Sequence, residues 1–284
     1  MNSLLKYYKK FHNILLDKIK NKGYSLLNNE PNSNLSGQVS ALEVKRLSNL
    51  LRYSPTSTTF LNHKMEIVDA CTFLAGRNEI FGKGIYEFNS DREDPLIIDC
   101  GANIGLSVIY FKQLYPKAKI LAFEPDHQIY QALEANVASF ELSHITLFQE
   151  AVWKEDGVVE FKIEGGFSGR VPKPEDKLNV VKVKARNLKN LLNQPVDFLK
   201  VDIEGAEYEV LKACNHSLQN VKNIFIEYHS HISEKQVLNE ILSILTENGF
   251  RYHIHEAYTH SKPYIHRELM LGMDLQLNLY GYRV

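Results

Sequence analysis

Residues 95–107 read Pro95-Leu-Ile-Ile-Asp99-Cys-Gly101-Ala-Asn103-Ile-Gly105-Leu-Ser107. Residues 96–98 are a short apolar run bounded by a proline and by glycines, the pattern of a buried parallel strand. Asp99 stands at its carboxyl end. Gly101 and Gly105 flank a tight turn, and residues 104–114 have helical spacing. A strand, a glycine turn and a helix open a nucleotide-binding α/β unit, in which ligands sit at the carboxyl ends of the strands.

Downstream the alternation continues. Strands are expected at 119–124, 145–149, 179–184, 196–201, 222–228 and 250–256, with a last one near 274–280. Helices are expected at 104–115, 126–139, 187–193, 206–214 and 233–247. Asp156-Gly157 between alternating apolar residues signals a hairpin over 152–163. The pattern predicts a mainly parallel, doubly wound sheet with helices on both faces.

Upstream, Leu4, Leu5, Tyr8, Phe11, Leu15, Leu16 and Ile19 recur at helical spacing opposite a row of lysines. Such a helix over 1–27 can lie on an anionic membrane through residues 1–22. Docking on its own domain or on a second subunit, as in a homodimer, is the reading that amphipathicity alone favours. A linker (28–37), a helix (39–51), a hairpin turning at Asn62-His63 and a helix capped by Asp69 (69–81) follow. Residues 1–90 therefore read as an α+β extension and 91–284 as the nucleotide-fold domain.

The chain has 284 residues, 44% hydrophobic and 24% charged, with a net charge of -1. No global field favours nucleic acid. Cys71, Cys100 and Cys214 form no metal-binding or disulfide spacing, which fits a reducing, cytoplasmic setting. No apolar run reaches the ~20 residues of a membrane span, and no cleaved signal peptide is expected.

Four constellations carry chemistry. In the first, Asn103 stands where a dinucleotide fingerprint places its second glycine, which spoils the cradle for a pyrophosphate. Acidic Asp99 repels an anion and suits a cation, so S-adenosylmethionine, with its ammonium and sulfonium, fits better than a nicotinamide cofactor. The alternative is a structural turn alone. In the second, Glu124 ends the next strand, where an acid accepts hydrogen bonds from ribose hydroxyls or starts a helix. In the third, Lys200-Val-Asp202-Ile-Glu204-Gly-Ala-Glu207, helix capping explains one or two acids. Asp202 is a candidate base or metal ligand, while Glu207 reads as pointing along the helix in a structural role. In the fourth, Glu227, His229 and His231 share one side of a strand, and His229, nearest the strand end, is the candidate base. His231 reads as a loop residue.

Residues 165–170 form a lid whose Ser168 and Arg170 contact substrate, or a solvated loop. Tyr252, His253, His255, Tyr258, His260, Tyr264 and His266 suit carbohydrate binding, but an amphipathic strand and a polar loop explain them more simply.

The ordered set IIDCGANIG, AFEPD, QEAVW, FLKVDIEGAE and IFIEYH resembles the FkbM family of S-adenosylmethionine-dependent methyltransferases over roughly residues 95–250. The resemblance implies a class I methyltransferase (Rossmann-like) fold, a seven-stranded sheet whose last strand runs antiparallel. It implies O-methylation of a hydroxyl, commonly of a sugar, polysaccharide or other secondary metabolite. By position, Asp99, Gly101, Asn103 and Gly105 would line the methionine end of the cofactor and Glu124 the ribose. Glu150 and Ala151 would border the adenine, and Asp202, Glu204 and His229 would face the transferred methyl. Glu227 is assigned to the acceptor with Ser168 and Arg170. His229 or Asp202 would take the hydroxyl proton. A divalent metal, Mg²⁺ or Mn²⁺, held by Asp202 and Glu204 is the variant mechanism. The competing classes are an NAD-dependent oxidoreductase or epimerase and a non-catalytic, membrane-associated binding module.

Overall fold

The computed structural model describes residues 37–163, 169–170 and 180–284. The helix expected over 1–27 and Ser168 lie outside them, and of Arg170 only the backbone is described.

Helix α1 (Ala41–Ser48) starts where the Ser40 side chain accepts from Glu43 N. Strands β1 (Thr56–Phe60) and β2 (His63–Ile67) pair as the expected hairpin. The turn falls one residue earlier than expected, on Leu61 and Asn62, whose φ values of 49° and 67° are both positive, as the twist of a two-residue hairpin requires. Helix α2 (Ala70–Arg77) is capped by Asp69 and runs into a π-helical turn, Asn78–Gly82.

Then come β3 (Leu96–Cys100), α3 (Leu106–Leu114), β4 (Lys119–Phe123), α4 (His127–Ser139, capped by Asp126), β5 (Ile145–Phe148), β6 (Ala151–Trp153), β7 (Gly157–Ile163), β8 (Gly169–Arg170), β9 (Val180–Asn187) and β10 (Val196–Val201). The chain continues through α5 (Glu207–Cys214), β11 (Val221–His231), α6 (Leu238–Glu247), β12 (Arg251–Tyr258) and β13 (Met273–Tyr282). The large sheet has seven strands in the order β12-β13-β11-β10-β3-β4-β5. Only β13 runs against the others. This is the class I methyltransferase sheet that the family resemblance implied.

Period-two alternation splits the strands between two cores. Ile97, Ile120, Ala122, Phe198 and Phe225 face α3 and α4, and the same core takes in Leu47, Phe60, Phe73, Phe81 and Tyr86 from the N-terminal segment. Ile98, Cys100, Leu199, Val201, Ile224 and Ile226 face α5 and α6 on the other side.

Three expectations change. The Asp156-Gly157 hairpin does not form. Strands β6 and β7 lie on either side of β9 in a second, four-stranded sheet ordered β6-β9-β7-β8, and do not pair with each other. Asp156 instead uses both carboxylate oxygens on the end of β9 and just beyond it, accepting from Asn187 N and Asn190 Nδ2, each at 2.8 Å. The helix expected at 187–193 is a single 3₁₀ turn at Leu188–Leu191. Strand β11 extends through His231, because β13 continues the ladder to Met273; His231 is thus a strand residue.

Phe60 is fully buried and meets Phe73 and Phe81 edge-on at 5.7 and 5.0 Å between ring centres. Phe60→Ala should lower the unfolding free energy by about 3–5 kcal/mol, measured by urea denaturation. A loss below about 1 kcal/mol would show that the N-terminal segment adds little to the common core.

Candidate active site

The turn after β3 is built against a second turn. Gly101 has φ +86°, and a Cβ there would lie 1.9 Å from the Asp202 carbonyl oxygen. The close approach that demands glycine is therefore made by the chain itself. Asn103 sits in the left-handed region at φ +49°, and its Oδ1 accepts from Ile104 N at 2.8 Å. Asn103 N donates to Glu124 Oε2 (3.1 Å) and Asp126 N to Glu124 Oε1 (2.9 Å). Glu124 thus ties the turn to the end of β4. Burial raises its pKa to about 8, with Asp126 adding to the effect; the two N–H donors oppose it.

Asp99 is fully buried. Its Oδ2 accepts from Ser107 Oγ at 2.5 Å, and Lys200 Nζ lies 3.4 Å from Oδ1. The bare carboxylate expected from the sequence is therefore already paired. Lys200, in register with Asp99 on the neighbouring strand, also donates to Gly101 O (2.7 Å) and pairs with Asp202 Oδ2 (3.1 Å). Burial opposes a charge on Lys200, but Asp202 and Asp99 outweigh it and hold the ammonium pKa well above its usual value. Burial likewise works against the Asp202 carboxylate, and Lys200 reverses the balance, keeping its pKa low.

His229 lies on the same face, near the end of β11, with its side chain 1% exposed. Its Nδ1 meets Glu207 Oε1 at 3.0 Å. Glu207 Oε1 also accepts from Ile203 N and Gly205 N, which fixes it. On the other side of the ring, Nε2 is 3.6 Å from Glu204 Oε2 and 3.3 Å from Gln276 Nε2. Gln276 Nε2 in turn donates to Glu227 Oε1 at 2.6 Å. Burial disfavours the imidazolium, yet Glu204 and Glu207 prevail and raise the His229 pKa well above its ordinary value. Glu227 shifts upward through burial and the neighbouring Asp202 charge.

The structure brings together most of the expected residues. Asp99, Gly101, Asn103, Gly105 and Glu124 surround one turn, and Asp202, Glu204, Glu227 and His229 gather at the ends of β10 and β11. Glu150 holds Arg186 of β9 through two hydrogen bonds of 2.8 and 3.2 Å, and Ala151 is buried at the start of β6. The metal pair Asp202–Glu204 is not the convergent set. Donor atoms of Asp202, Glu227 and His229 come within 4.8 Å of one another, whereas Glu204 is turned towards the histidine. Glu207 does not merely point along its helix but reaches His229.

Comparison with known proteins follows the same lines. Residues 99–252 match the family model described as the methyltransferase FkbM domain. The chain belongs to the FkbM methyltransferase family. Among curated relatives, methyltransferase sdnD of Sordaria araneosa is 31% identical over 209 residues, 61% of this chain and 80% of its own. The 2-O-methyltransferase NoeI of Sinorhizobium fredii is 27% identical over 178 residues, 55% of this chain and 72% of its own. The hexuronic acid methyltransferase AglP of Haloferax volcanii is 29% identical over 169 residues, 51% of this chain and 60% of its own.

Four residues that stand among these groups were given no separate role by the sequence. Lys200 is a lysine in a wholly buried strand, which signals a buried counter-ion. Ser107 lies eight residues after Asp99 and bonds to it. Gln276 and Asn278 alternate with leucines in the last strand, and register with His229 and Glu227 was the missing link.

Glu124 yields a pH prediction. Its folded pKa, about 8, stands above the ordinary value of 4.5. The stability contributed by the protonated group is complete below the lower value and is lost as pH rises through the higher one. Urea unfolding between about pH 5 and 9 should show stability falling with pH, and Glu124→Gln should flatten that fall. An identical slope in both proteins would contradict the assignment.

Proposed function

We propose that this chain transfers the methyl group of S-adenosylmethionine to a hydroxyl oxygen of a sugar. The observation that carries the reading is the placement of two unlike groups at the carboxyl ends of one sheet. The Asn103 turn with Glu124 lies on one side, and His229, oriented by Glu207, on the other. In this reading residues 91–284 bind cofactor and acceptor, and residues 1–90 form an extension.

Asp99, Gly101, Asn103 and Gly105 shape the methionine end, Glu124 takes the ribose hydroxyls, and Glu150 and Ala151 border the adenine. The Asn103 amide oxygen already engages the first N–H of the helix entry, so the turn offers a pyrophosphate little. This supports a sulfonium cofactor over a nicotinamide dinucleotide. The names of two relatives, a 2-O-methyltransferase and a hexuronic acid methyltransferase, support an oxygen acceptor on a carbohydrate.

Methyl transfer is an in-line displacement, for which the protein supplies alignment and a proton acceptor. The S–CH₃ bond breaks as the O–CH₃ bond forms, and S-adenosylhomocysteine leaves. The hydroxyl proton passes to His229 or to Asp202, with Glu204 beside the histidine ring at 3.6 Å. Glu227 and its Gln276 partner offer hydrogen bonds to the acceptor's other hydroxyls.

Incubation with methyl-tritiated S-adenosylmethionine and glycan extracts should give labelled carbohydrate. Glu124→Ala should weaken S-adenosylmethionine binding about 10–100-fold, the loss expected for two hydrogen bonds to the ribose hydroxyls. His229→Ala should lower kcat about 10²–10⁴-fold while leaving cofactor affinity within about threefold. Tight NAD binding without S-adenosylmethionine binding would overturn the proposal.

A further inference from the structure

We propose that Asp202, Glu227 and His229 form a binding site for one divalent cation of the Mn²⁺ type, with Asn278 as a further oxygen donor. Asp202 comes from the turn after β10, and Glu227 and His229 from alternate positions of β11, so they share one face. One ligand atom from each lies within 4.8 Å of the others. A cation about 2.1–2.2 Å from each donor requires separations of roughly 3–4.3 Å, which small side-chain rotations supply.

Three further observations point to a ligand. First, Glu207 holds His229 Nδ1 from behind at 3.0 Å, while two backbone N–H groups hold Glu207. A carboxylate in this position fixes the tautomer and presents Nε2 as a metal donor. Second, Asn278 Oδ1 is buried with no hydrogen-bond partner, in a side chain that is 5% exposed. Asn278 stands directly across from Glu227 in the β11–β13 ladder, and opposed residues of an antiparallel pair project to the same face. Third, the Gln276 amide nitrogen lies 2.6 Å from Glu227 Oε1 and 3.3 Å from His229 Nε2, so the lone pairs of these two atoms converge on one place, which a cation takes once the amide swings aside.

Charge agrees. Asp99, Asp202, Glu204, Glu207 and Glu227 surround Lys200 and His229, so carboxylates outnumber cations at a largely buried place. Lys200 engages one oxygen of Asp202 and compensates Asp99 along with it. Two carboxylates, an imidazole and an amide oxygen form a mixed N/O donor set; its oxygen majority suits Mn²⁺ or Mg²⁺, and the imidazole favours Mn²⁺. The site lies where the preceding reading places the acceptor hydroxyl. A cation there would stabilise the oxygen as it loses its proton, with Glu204 beside it to take that proton.

The proposal rests on that reading for its role, but not for its test. Purified full-length chain is titrated with MnCl₂, and the free-ion electron paramagnetic resonance signal is followed. One Mn²⁺ should bind per chain, and excess Mg²⁺ should displace it. Glu227→Gln should weaken binding at least tenfold, as should Asn278→Leu to a smaller degree. Glu209→Gln, whose carboxylate pairs with Lys154 at the surface, should bind as wild type. Circular dichroism and S-adenosylmethionine binding on the same samples report folding and cofactor binding separately. No Mn²⁺ uptake at millimolar metal by folded chain, or equal uptake by folded Glu227→Gln, would overturn the metal site. If S-adenosylmethionine still binds in that case, the methyltransferase reading stands without it.

Discussion

A buried ammonium holds this structure's working end together. Lys200 reaches Asp99 on β3, the carbonyl of Gly101 in the turn that follows, and Asp202 beyond its own strand. Central parallel strands are normally apolar on both faces, so a charge here is costly unless fully partnered. Removing Lys200 would leave Asp99 and Asp202 without their shared counter-ion, a change that commonly destabilises by several kcal/mol. The same ion pairing sets the two turns at a fixed distance. Glu124 then extends the connection to β4, and Glu207 and Glu204 extend it to His229. The polar groups at the strand ends are therefore held as one layer over an apolar sheet.

The aromatic rings of the N-terminal segment form the support beneath that layer. Tyr86 packs edge-on against Phe225 at 4.8 Å, and Lys200 Nζ lies 5.8 Å from its ring centre. Phe81 meets Tyr110 of α3 edge-on at 5.2 Å. Edge-to-face contacts of this kind fix ring orientation as well as burying area. Residues outside the family-matched span thus shape the floor of the site, even though they carry none of the motifs.

The sequence exposed the alternation of strands and helices because parallel strands, glycine turns and helix caps each leave local signatures. Pro95, Gly101, Gly105, Asp126 and the apolar runs sufficed for strand–helix alternation. What it hid depends on contacts between distant residues. Asp156-Gly157 looked like a hairpin because the local pattern could not show that β9 would claim both neighbouring strands. Glu207 looked like a helix-start acid because its partner lies 22 residues on. Gln276 and Asn278 were unremarkable until the antiparallel ladder set them opposite His229 and Glu227. The acids near the motifs could be found by position, but which of them oriented, neutralised or faced the reaction required the fold.

The missing Cβ of Gly101 has one more consequence. Because the Asp202 carbonyl occupies that space, the turn after β3 and the turn after β10 cannot be displaced separately, and on the proposed reading these are the turns that meet cofactor and acceptor. Ordering either one restricts the other, so the entropy lost when the first ligand settles need not be lost again for the second. By thermodynamic reciprocity each ligand then assists the other to the same degree. On the proposed reading, a single hydrogen atom in place of a methyl group would couple the two binding events.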